Sequence, residues 1–473
     1  MVEKIAVIGG LGTLSGGDLF FKLLKNSKVL KNQLGYHFIF EQQPYSQINL
    51  PLHQEEDIRS RKYYTYNICK NFEAKGVSKI LLPCFASHSF LDELQKEITI
   101  PIVNIFEALS CYIYSTFPKG TKIGVLTSDF VKENKMLDSY FHDYELVFPA
   151  TQNRLMEAIY GEYGIKNGHF DGLALEYVCE VCAELNEKGC NIILPGITEL
   201  SLVVEQLWRR GIQLLDVNQI YANYALENAH SKLEKPFKLG ILGGVGPSAT
   251  VDFMNKIIQN TPAQKDQDHI KMVVEQNPQI PDRTANLVRR ETDPIVAMYS
   301  TCKRLEAEGA DAIAIPCNTA HAFVKGIQEH LGIPIINMLS ATAEHIGHIY
   351  GEGAKVGLLA TSGTIQSKVY HDVLKAFGFD VIIPDEKHQA YVMESIYGEY
   401  GVKAGFSDDV CKDYILKAAK HVIDSGADII ILGCTELPLM FPHENEIVME
   451  GNRIPLVDPT LVLAKKIVGM AKK

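Results

Sequence analysis

The chain has 473 residues, of which 46% are hydrophobic and 22% are charged, and its formal net charge is -11. A chain of this length exceeds the size at which one hydrophobic core usually stops growing, so we expect at least two domains. The acidic balance argues against a nucleic-acid-binding or anionic-membrane-binding surface. The composition is typical of a soluble globular protein.

The segment MVEKIAVIGG has the pattern of a strand and lacks the apolar core and cleavage site of a signal peptide. No apolar run is long enough to span a bilayer. Ten cysteines without a secretory signal favour a reducing compartment, so the sequence predicts a cytoplasmic protein without a disulfide framework. Cys179 and Cys182 have CxxC spacing, but they fall in a predicted amphipathic helix, where packed thiols are the simpler interpretation.

Five sequence blocks occur twice along the chain, in the same order and at nearly constant spacing. The paired blocks are IAVIGGLGTLSGGD and LGILGGVGPSATVD, LLPCFASHSF and AIPCNTAHAF, KIGVLTSDF and KVGLLATSG, MEAIYGEYGIKNG and MESIYGEYGVKAG, and NIILPGITEL and DIIILGCTEL. Such recurrence indicates a tandem duplication. We predict domains at 1–230 and 231–473, joined near the charged stretch SKLEKPFK at 231–238.

Short apolar runs alternate with helix-like segments in each half. The strand candidates of the second half are KLGILGG, KMVVEQ, AIAIP, IIN, KVGLLA, VIIP, DIIILG and PLVD. This alternation predicts an α/β fold with parallel sheets and helices on both faces. Because KVGLLATSGT resembles a second start of the GGVG unit, each half is expected to contain two lobes, with a cleft between them.

Glycine-rich turns follow the first strand of each half, as GGLGTLSGG and GGVGPSAT. Such turns can hold phosphate or carboxylate groups on exposed backbone amides. Neither turn has the GxGxxG pattern, and no acidic ribose partner stands out after the next strand. We therefore expect these turns to let the backbone approach an acid, or simply to pack closely.

Two cysteines of the second half directly follow predicted strands. Cys317 is followed by Asn318 and Thr319, which are good N-cap residues, and Cys434 is followed by Thr435 and a second predicted helix start. Both thiols should lie at the carboxyl ends of strands, where open α/β sheets keep their sites. A nearby helix N-terminus should favour the thiolate form.

Paired thiols suit the inversion of a stereocentre by proton transfer. Inversion requires a base on one face of the carbon and an acid on the other, and cysteine can serve as either. One buried cysteine beside a turn would be unremarkable by itself. Two cysteines in the same local context favour a catalytic role for Cys317 and Cys434.

The motifs GGVGPSAT, NPQIPDRT, PCNTAH, IYGEYGVKAG and LGCTEL resemble the aspartate/glutamate racemase superfamily, and aspartate racemases most closely. The resemblance covers the whole second half and, more weakly, the first. It implies a PLP-independent racemase (an isomerase) that uses no cofactor and no metal. It also implies a cleft between two flavodoxin-like lobes, with Cys317 and Cys434 as the paired acid and base.

The resemblance also assigns residues around the thiols. Donors for the α-carboxylate and amine of the substrate would be Asn318, Thr319 and Thr435, with Thr361 or Thr364. Arg283 would clamp the side-chain carboxylate and Lys403 would be its cationic partner; alternatively, either could be a solvated surface charge. His321 and Glu436 are interpreted as residues that adjust the reactivity of the thiols without contacting the substrate. Alternatively, each could cap a helix or lie at the edge of the core.

The first half departs from this pattern. Cys84 is retained, but Ile197 stands where the second half has Cys434, and an isoleucine cannot move a proton. The remaining differences are Phe85 for Asn318, Ala86 for Thr319, Asn49 for Arg283 and Val131 for Thr364, whereas Lys166, His88 and Glu199 are kept. We therefore predict that 1–230 is a degenerate copy that lends stability or a dimer-like interface, although a one-thiol reaction or another ligand stays open.

The leading functional hypothesis is racemisation of a small acidic amino acid, with aspartate ahead of glutamate or a broader range. The alternatives are another two-cysteine isomerase acting on a small dicarboxylate, and a non-catalytic binding protein. Neither a nucleic-acid nor a membrane partner is expected. The duplication predicts an intramolecular pseudo-dimer, which could assemble further into a homo-oligomer.

Overall fold

The structure is a computed structural model that describes residues 2–43, 45, 52, 55–228, 235–351, 353–406, 409–441 and 444–472. The chain divides into two compact units, Met1–Lys235 and Pro236–Lys473. Asn49 and residues 231–234 of the expected joint lie outside the described residues. No helix in the described ranges is both long enough and apolar enough to cross a membrane.

The first unit contains seven strands and ten α-helices among its described residues. The strands are β1 (Glu3–Ile8), β2 (Tyr36–Glu41), β3 (Lys79–Leu81), β4 (Ile102–Val103), β5 (Lys122–Thr127), β6 (Glu145–Val147) and β7 (Ile192–Gly196). The helices are α1 (Thr13–Lys25), α2 (Ser27–Lys31), α3 (Glu55–Ala74), α4 (Leu91–Glu97), α5 (Ile105–Thr116), α6 (Asp129–Glu133), α7 (Gln152–Tyr160), α8 (Gly172–Glu187), α9 (Val204–Arg209) and α10 (Val217–Glu227).

These strands form two parallel sheets, ordered β2-β1-β3-β4 and β6-β5-β7. Each sheet belongs to one lobe of the unit. Cys179 and Cys182 lie on α8, as the amphipathic pattern predicts, and Cys182 is fully buried.

The second unit has the same plan with one additional hairpin. Its strands are β8 (Lys238–Gly243), β9 (Lys271–Gln276), β10 (Ala312–Ala314), β11 (Ile335–Ile336), β12 (Lys355–Ala360), β13 (Asp380–Ile382), β14 (Ile429–Gly433), β15 (Glu446–Met449) and β16 (Asn452–Val457). Its helices are α11 (Pro247–Asn260), α12 (Arg283–Arg289), α13 (Ile295–Ala307), α14 (His321–Gln328), α15 (Met338–Tyr350), α16 (Ser362–Gln366), α17 (Val369–Ala376), α18 (Glu386–Tyr397), α19 (Asp409–Asp424) and α20 (Pro459–Ala471).

The two sheets of the second unit are ordered β11-β10-β8-β9 and β13-β12-β14-β16-β15. All pairings are parallel except that of β15 with β16. The predicted α/β class with parallel sheets flanked by helices is therefore confirmed. Each of the eight strand candidates of the second half contributes to a strand, whereas β15 was not predicted.

Burial along the central strands explains why these sheets carry helices on both faces. On β14, Ile429 and Ile431 belong to one hydrophobic cluster, whereas Ile430 and Leu432 belong to another. Successive side chains of a strand point to opposite faces. In a strand that is buried on both faces, successive residues are therefore all apolar. The sequence IIIL of β14 has this pattern.

The core of the first unit can be tested with Leu194, which lies on β7 and is fully buried. We expect Leu194→Ala to lower the free energy of unfolding by about 2–5 kcal/mol, because it removes buried methyl groups and leaves a cavity. Trp208 is the only tryptophan of the chain and lies in this unit, where its indole N–H donates to the Leu214 carbonyl, so its emission during urea unfolding reports on the unit. Leu34→Ala is the control, since Leu34 is 92% exposed, and a matching loss there would contradict the assignment.

Candidate functional site

A narrow cleft of the second unit gathers residues from the carboxyl ends of strands in both sheets. About 260 Å³ of space lies within it, part of which is open to solvent. Its walls are formed by Val245, Arg283, Thr284, Cys317, Asn318, Thr319, Thr361, Tyr397, Lys403, Cys434, Thr435 and Glu436. Both cysteines singled out in the sequence therefore line one cleft.

Cys434 directly follows β14, whose last residue, Gly433, pairs with Ala360 at the end of β12. This register sets Cys434 beside Thr361. The Cys434 sulfur donates a hydrogen bond to Glu436 Oε2 over 3.0 Å. Burial raises the pKa of the Cys434 thiol well above its usual range, and the negative charge of Glu436 raises it further. Cys434 is therefore a neutral thiol near pH 7.

That state differs from the expectation that a helix N-terminus would favour the thiolate at this position. The segment after Cys434 is a short 3₁₀ helix, Leu437–Met440, and not the expected α-helix. Thr435 does not cap it, because its hydroxyl donates to Glu436 Oε2 at 3.3 Å. Burial and the neighbouring carboxylate outweigh the small dipole of so short a helix.

Glu436 is itself buried and is held by Lys403. Lys403 Nζ lies 2.9 Å from Glu436 Oε1. Burial opposes ionisation of both groups, but each charge stabilises the other, so that the pKa of Glu436 is lowered and that of Lys403 is raised. Lys403 thus lines the cleft as a cation, and its partner in this structure is Glu436. Glu436 contacts the Cys434 sulfur directly, whereas the sequence interpretation placed it one layer further from the substrate.

The glycine-rich turn of this unit packs against the same carboxylate. Gly246 has φ +130, a conformation that other residues rarely adopt, and a Cβ added there would lie 2.4 Å from Glu436 Oε1. The turn thus lets the backbone approach an acid of the protein itself. No phosphate ligand is needed to explain the glycine at this position.

Arg283 begins α12 and is buried, so it is not a solvated loop residue. Its Nη1 donates to the carbonyls of Ile280 and Pro281, and its Nη2 donates to that of Val245 over 3.1 Å. The guanidinium also interacts with the Cys317 sulfur, whereas its Nε is buried without a partner. A rigidly held positive charge therefore faces one thiol of the cleft.

Asn318 and Thr319 line the cleft, but they do not cap the helix that follows. Helix α14 begins at His321, and its N-cap, Ala320, makes no side-chain hydrogen bond. Asn318 Oδ1 accepts from Tyr370 Oη over 2.6 Å, and its Nδ2 is buried without a partner. The Asn318 side chain is thus fixed by Tyr370, and its Nδ2 stays unpaired, which is costly for a buried amide donor.

Hydroxyl groups form a connected cluster at this wall. Thr319 Oγ1 lies 3.0 Å from Thr361 Oγ1 and 2.8 Å from Thr364 Oγ1. Thr361 and Thr364 were alternatives in the sequence, and of the two only Thr361 lines the described cleft. Thr364 is fully buried and supports its neighbours.

His321 is buried but does not line the cleft. Its Nε2 accepts from the Met338 backbone N–H, so its Nδ1 carries the proton and donates to the Cys317 carbonyl at 2.9 Å. Burial lowers the pKa of His321 to about 4, which keeps the ring neutral near pH 7. His321 therefore fixes the backbone of Cys317 and does not touch its sulfur in this structure.

Three cleft residues were missed in the sequence: Val245, Thr284 and Tyr397. Thr284 donates to Thr361 Oγ1 over 3.2 Å, and Tyr397 donates to Asp282. All three lie inside quoted motifs, namely GGVGPSAT, NPQIPDRT and IYGEYG. Their motif context was available as a signal, but a hydroxyl or methyl group has no distinctive chemistry in a sequence.

The first unit has an equivalent cleft, which Cys84, Phe85, Ala86 and Ile197 line. His88 repeats the contacts of His321, with Nδ1 at 3.0 Å from the Cys84 carbonyl and Nε2 accepting from the Ile105 N–H. Lys166 and Glu199 repeat the lysine–glutamate ion pair at 2.5 Å, and here both side chains are buried. Val131 is buried behind this cleft and is not one of its lining residues.

One group of metal-ligand type lies away from the clefts. Asp385, His388 and His421 have ligand atoms within 4.8 Å of one another. These residues lie at the start of α18 and near the end of α19, and all three are partly exposed. Neither described cleft includes them.

The protonation of Cys434 can be tested by pH-dependent alkylation. Because Glu436 raises the pKa of this thiol, Glu436→Gln should move the alkylation of Cys434 by iodoacetamide to lower pH. Peptide mass spectrometry can follow the Cys434 peptide separately from the other thiols. Glu444→Gln is the control, since Glu444 pairs with Lys412 outside the cleft. An unchanged profile in Glu436→Gln would contradict the described coupling.

Comparisons with known proteins identify relatives that each match about half of this chain. The chain is 30% identical, over 49% of its length and 96% of the relative, to the broad specificity amino-acid racemase RacX of Bacillus subtilis (strain 168). One similar solved structure is an aspartate racemase of Picrophilus torridus (32% identity, TM-score 0.43). The match covers 50% of this chain and 95% of that chain. Another is a putative Asp/Glu racemase of Yersinia pestis (24% identity, TM-score 0.43, covering 50% and 100%).

The family comparison extends to both repeats. The sequence profile of the Asp/Glu/hydantoin racemases matches residues 8–225 and, separately, residues 242–467. Together these matches span most of the chain. The chain therefore belongs to the Asp/Glu/hydantoin racemase family, and it contains two tandem copies of the region that defines this family.

Proposed function

We propose that the second unit is a PLP-independent amino-acid racemase that transfers protons through Cys317 and Cys434. The observation that carries the proposal is the placement of both thiols on one small cleft with opposite electrostatic surroundings. Arg283 gives Cys317 a positive neighbour, and Glu436 gives Cys434 a negative one. A base and an acid are the two groups that inversion of a stereocentre requires.

In this mechanism Cys317, as a thiolate, removes the α-proton, and Cys434 delivers its S–H proton to the opposite face. The hydrogen bond from Cys434 to Glu436 holds that proton in place before transfer. Afterwards the two sulfurs have exchanged protonation states, so the same cleft serves the reverse direction. Glu436 then faces a thiolate, and Lys403 limits the repulsion between these two negative charges.

The carbanion formed by deprotonation places negative charge on the α-carboxylate. The unpartnered Nδ2 of Asn318 and the hydroxyls of Thr319, Thr361 and Thr435 are the donors proposed for it. Preorganised donors of this kind stabilise developing charge because they need no reorientation during the reaction. Arg283 and Lys403 supply the positive charge that a dianionic substrate needs in a desolvated cleft.

Aspartate is the substrate we place first, followed by glutamate and then a broader range. The small cleft and its two cations favour a short acidic amino acid. Lys403 is poorly suited to form an imine with PLP, because the raised pKa of its ammonium group, paired with Glu436, keeps it protonated. The alternatives are an isomerase of a small dicarboxylate and a binding protein without turnover.

The first unit is proposed not to racemise, since Ile197 stands at the position of the second thiol. Cys317→Ala and Cys434→Ala should each lower the racemisation of aspartate by roughly 10²–10⁴-fold, because each removes one acid–base group. Cys84→Ala should leave it nearly unchanged. Exchange of the α-hydrogen of L- and D-aspartate in heavy water, followed by NMR and chiral chromatography, measures all three variants.

The same assay should use protein dialysed against a chelator, with no added PLP, and a panel of acidic, neutral and aromatic amino acids. Turnover that appears only with added PLP or metal would contradict the proposal. So would loss of activity in Cys84→Ala with the fold intact. No exchange with any amino acid would favour the binding-protein alternative.

A second test concerns the donor to the carboxylate. Asn318→Ala should reduce kcat for aspartate by about 10²-fold, since it removes a donor that acts on the developing charge. Asn445→Ala is the matched control, because Asn445 is exposed and outside the cleft. Equal activity in both variants would remove Asn318 from the proposed mechanism.

A further inference from the structure

The second unit carries a cluster of two histidines and an aspartate that its described cleft does not include. Asp385 is the N-cap of α18, His388 lies in the first turn of this helix, and His421 lies in the last turn of α19. Each residue offers one ligand atom, and the three atoms lie within 4.8 Å of one another. Imidazole and carboxylate groups are common ligands of zinc and related divalent cations.

Both imidazole rings of this cluster face the same carboxylate. His388 Nδ1 lies 2.6 Å from Asp385 Oδ1, and His421 Nε2 lies 3.3 Å from Asp385 Oδ2. The two rings are stacked, with centroids 4.3 Å apart and planes inclined by 27°. Zinc bonds of about 2.0–2.1 Å in a tetrahedron place neighbouring ligand atoms roughly 3.3–3.4 Å apart, so small side-chain rotations are enough to fit an ion among these atoms.

The two ring nitrogens of His421 differ in their surroundings. Nδ1 is buried and has no hydrogen-bond partner among the described residues, whereas Nε2 faces Asp385. A histidine ligand binds a metal ion through one nitrogen of its neutral ring. Nε2 is therefore the nitrogen available to an ion, and it lies on the side of the carboxylate.

The first unit has a counterpart for the start of α18, namely the start of α7. Gln152 and Gln389 occupy equivalent positions, because each donates from its Nε2 to the backbone carbonyl that ends the neighbouring strand, β5 or β12. The residues that precede these glutamines, Thr151 and His388, therefore correspond to each other.

The end of α8 is likewise the counterpart of the end of α19. Glu184 and His421 correspond, because each lies eight residues before the strand that follows its helix, β7 or β14. Glu184 accepts hydrogen bonds from the backbone N–H and from the hydroxyl of Thr151. The first unit thus joins its two helices with an ordinary hydrogen-bonded pair, and the second unit has imidazole rings at the same two positions.

The cap of α18 does not explain these rings. Helix α18 begins three residues before Gln389, whereas α7 begins at Gln152 itself. The extra turn is capped by Asp385, whose Oδ1 accepts from the backbone N–H of His388 over 2.9 Å. A backbone N–H makes this bond whatever the side chain is. The extra turn therefore adds a carboxylate beside two rings that capping does not require.

We propose that Asp385, His388 and His421 form a zinc site that joins the start of α18 to the end of α19. Three protein ligands leave a fourth position for water. Mg²⁺ does not suit this set, because it prefers oxygen ligands and two of the three ligands are imidazoles.

The position of the site gives the ion a structural role. Helix α18 has 12 residues and ends at Tyr397, which lines the cleft, so its start lies about 18 Å away along the helix. An ion there would fix the packing of α18 against α19. The inference does not depend on the racemase activity proposed for the cleft.

The first test uses the full chain, which is freed of metal with a chelator, desalted and titrated with ZnCl₂ in a calorimeter. Asp385→Asn and His421→Gln should each weaken Zn²⁺ binding by about tenfold or more, because each removes one of three ligands. Asparagine is also a good N-cap, so Asp385→Asn keeps the start of α18. His330→Gln is the matched control, since His330 is exposed and outside the cluster, and it should bind as the unchanged chain does.

A residue-specific measurement separates this site from zinc bound by thiols elsewhere in the chain. Diethyl pyrocarbonate modifies unprotonated imidazole nitrogens, and mass spectrometry reads the products peptide by peptide. Zn²⁺ should slow the modification of His421 severalfold, because the bound ion covers Nε2 and the other nitrogen is buried. His330 should react at an unchanged rate, and Mg²⁺ at the same concentration should protect neither residue.

Three results would overturn the proposal. These are equal Zn²⁺ affinity in the unchanged chain and in both ligand variants, no protection of His421 by Zn²⁺, and equal protection by Mg²⁺. The first would place the bound zinc on other groups, the second would remove the site, and the third would remove its preference for ions that bind imidazole. Because the protection measurements use the unchanged chain, they decide the matter even if a variant does not fold.

Discussion

A lysine–glutamate pair with a buried carboxylate is the interaction on which each cleft depends. Lys403 with Glu436, and Lys166 with Glu199, place opposite charges within 3 Å; both carboxylates are buried, whereas the Lys403 side chain is 24% exposed. Removing one partner of such a pair typically costs about 3–5 kcal/mol, because the other charge stays buried. The glycine turn approaches this carboxylate in both copies, since a Cβ on Gly12 would meet Glu199 as one on Gly246 would meet Glu436.

The fold was largely predictable, because strands buried on both faces leave long apolar runs between helical stretches. The hairpin strand β15 was missed. It alternates in burial at the edge of its sheet, and its turn places Glu450 and Gly451 at positive φ. A tight hairpin turn usually contains Asn-Gly or Asp-Gly, so the Glu-Gly pair gave a weak signal.

The clefts were predictable to the extent that strand ends determine them. A residue that follows a buried strand, such as Cys317 or Cys434, is placed by the sheet, and both of these residues line one cleft. Caps and thiol charge were not predictable, because they depend on burial and on neighbours distant in sequence. Arg61 is the clearest example of a contact that the sequence could not predict. It contacts Cys84 from α3, whereas an alignment of the two copies places Asn49 opposite Arg283.

The tandem arrangement has a consequence for how the two clefts change over generations. In an assembly of identical subunits, a single codon change alters every site at once, so a new specificity is gained only by giving up the old one. Here each copy has its own stretch of the gene. Ile197 and Phe85 could therefore arise in one cleft while the cysteine and asparagine of the other were kept, and translation still delivers both sites in equal number.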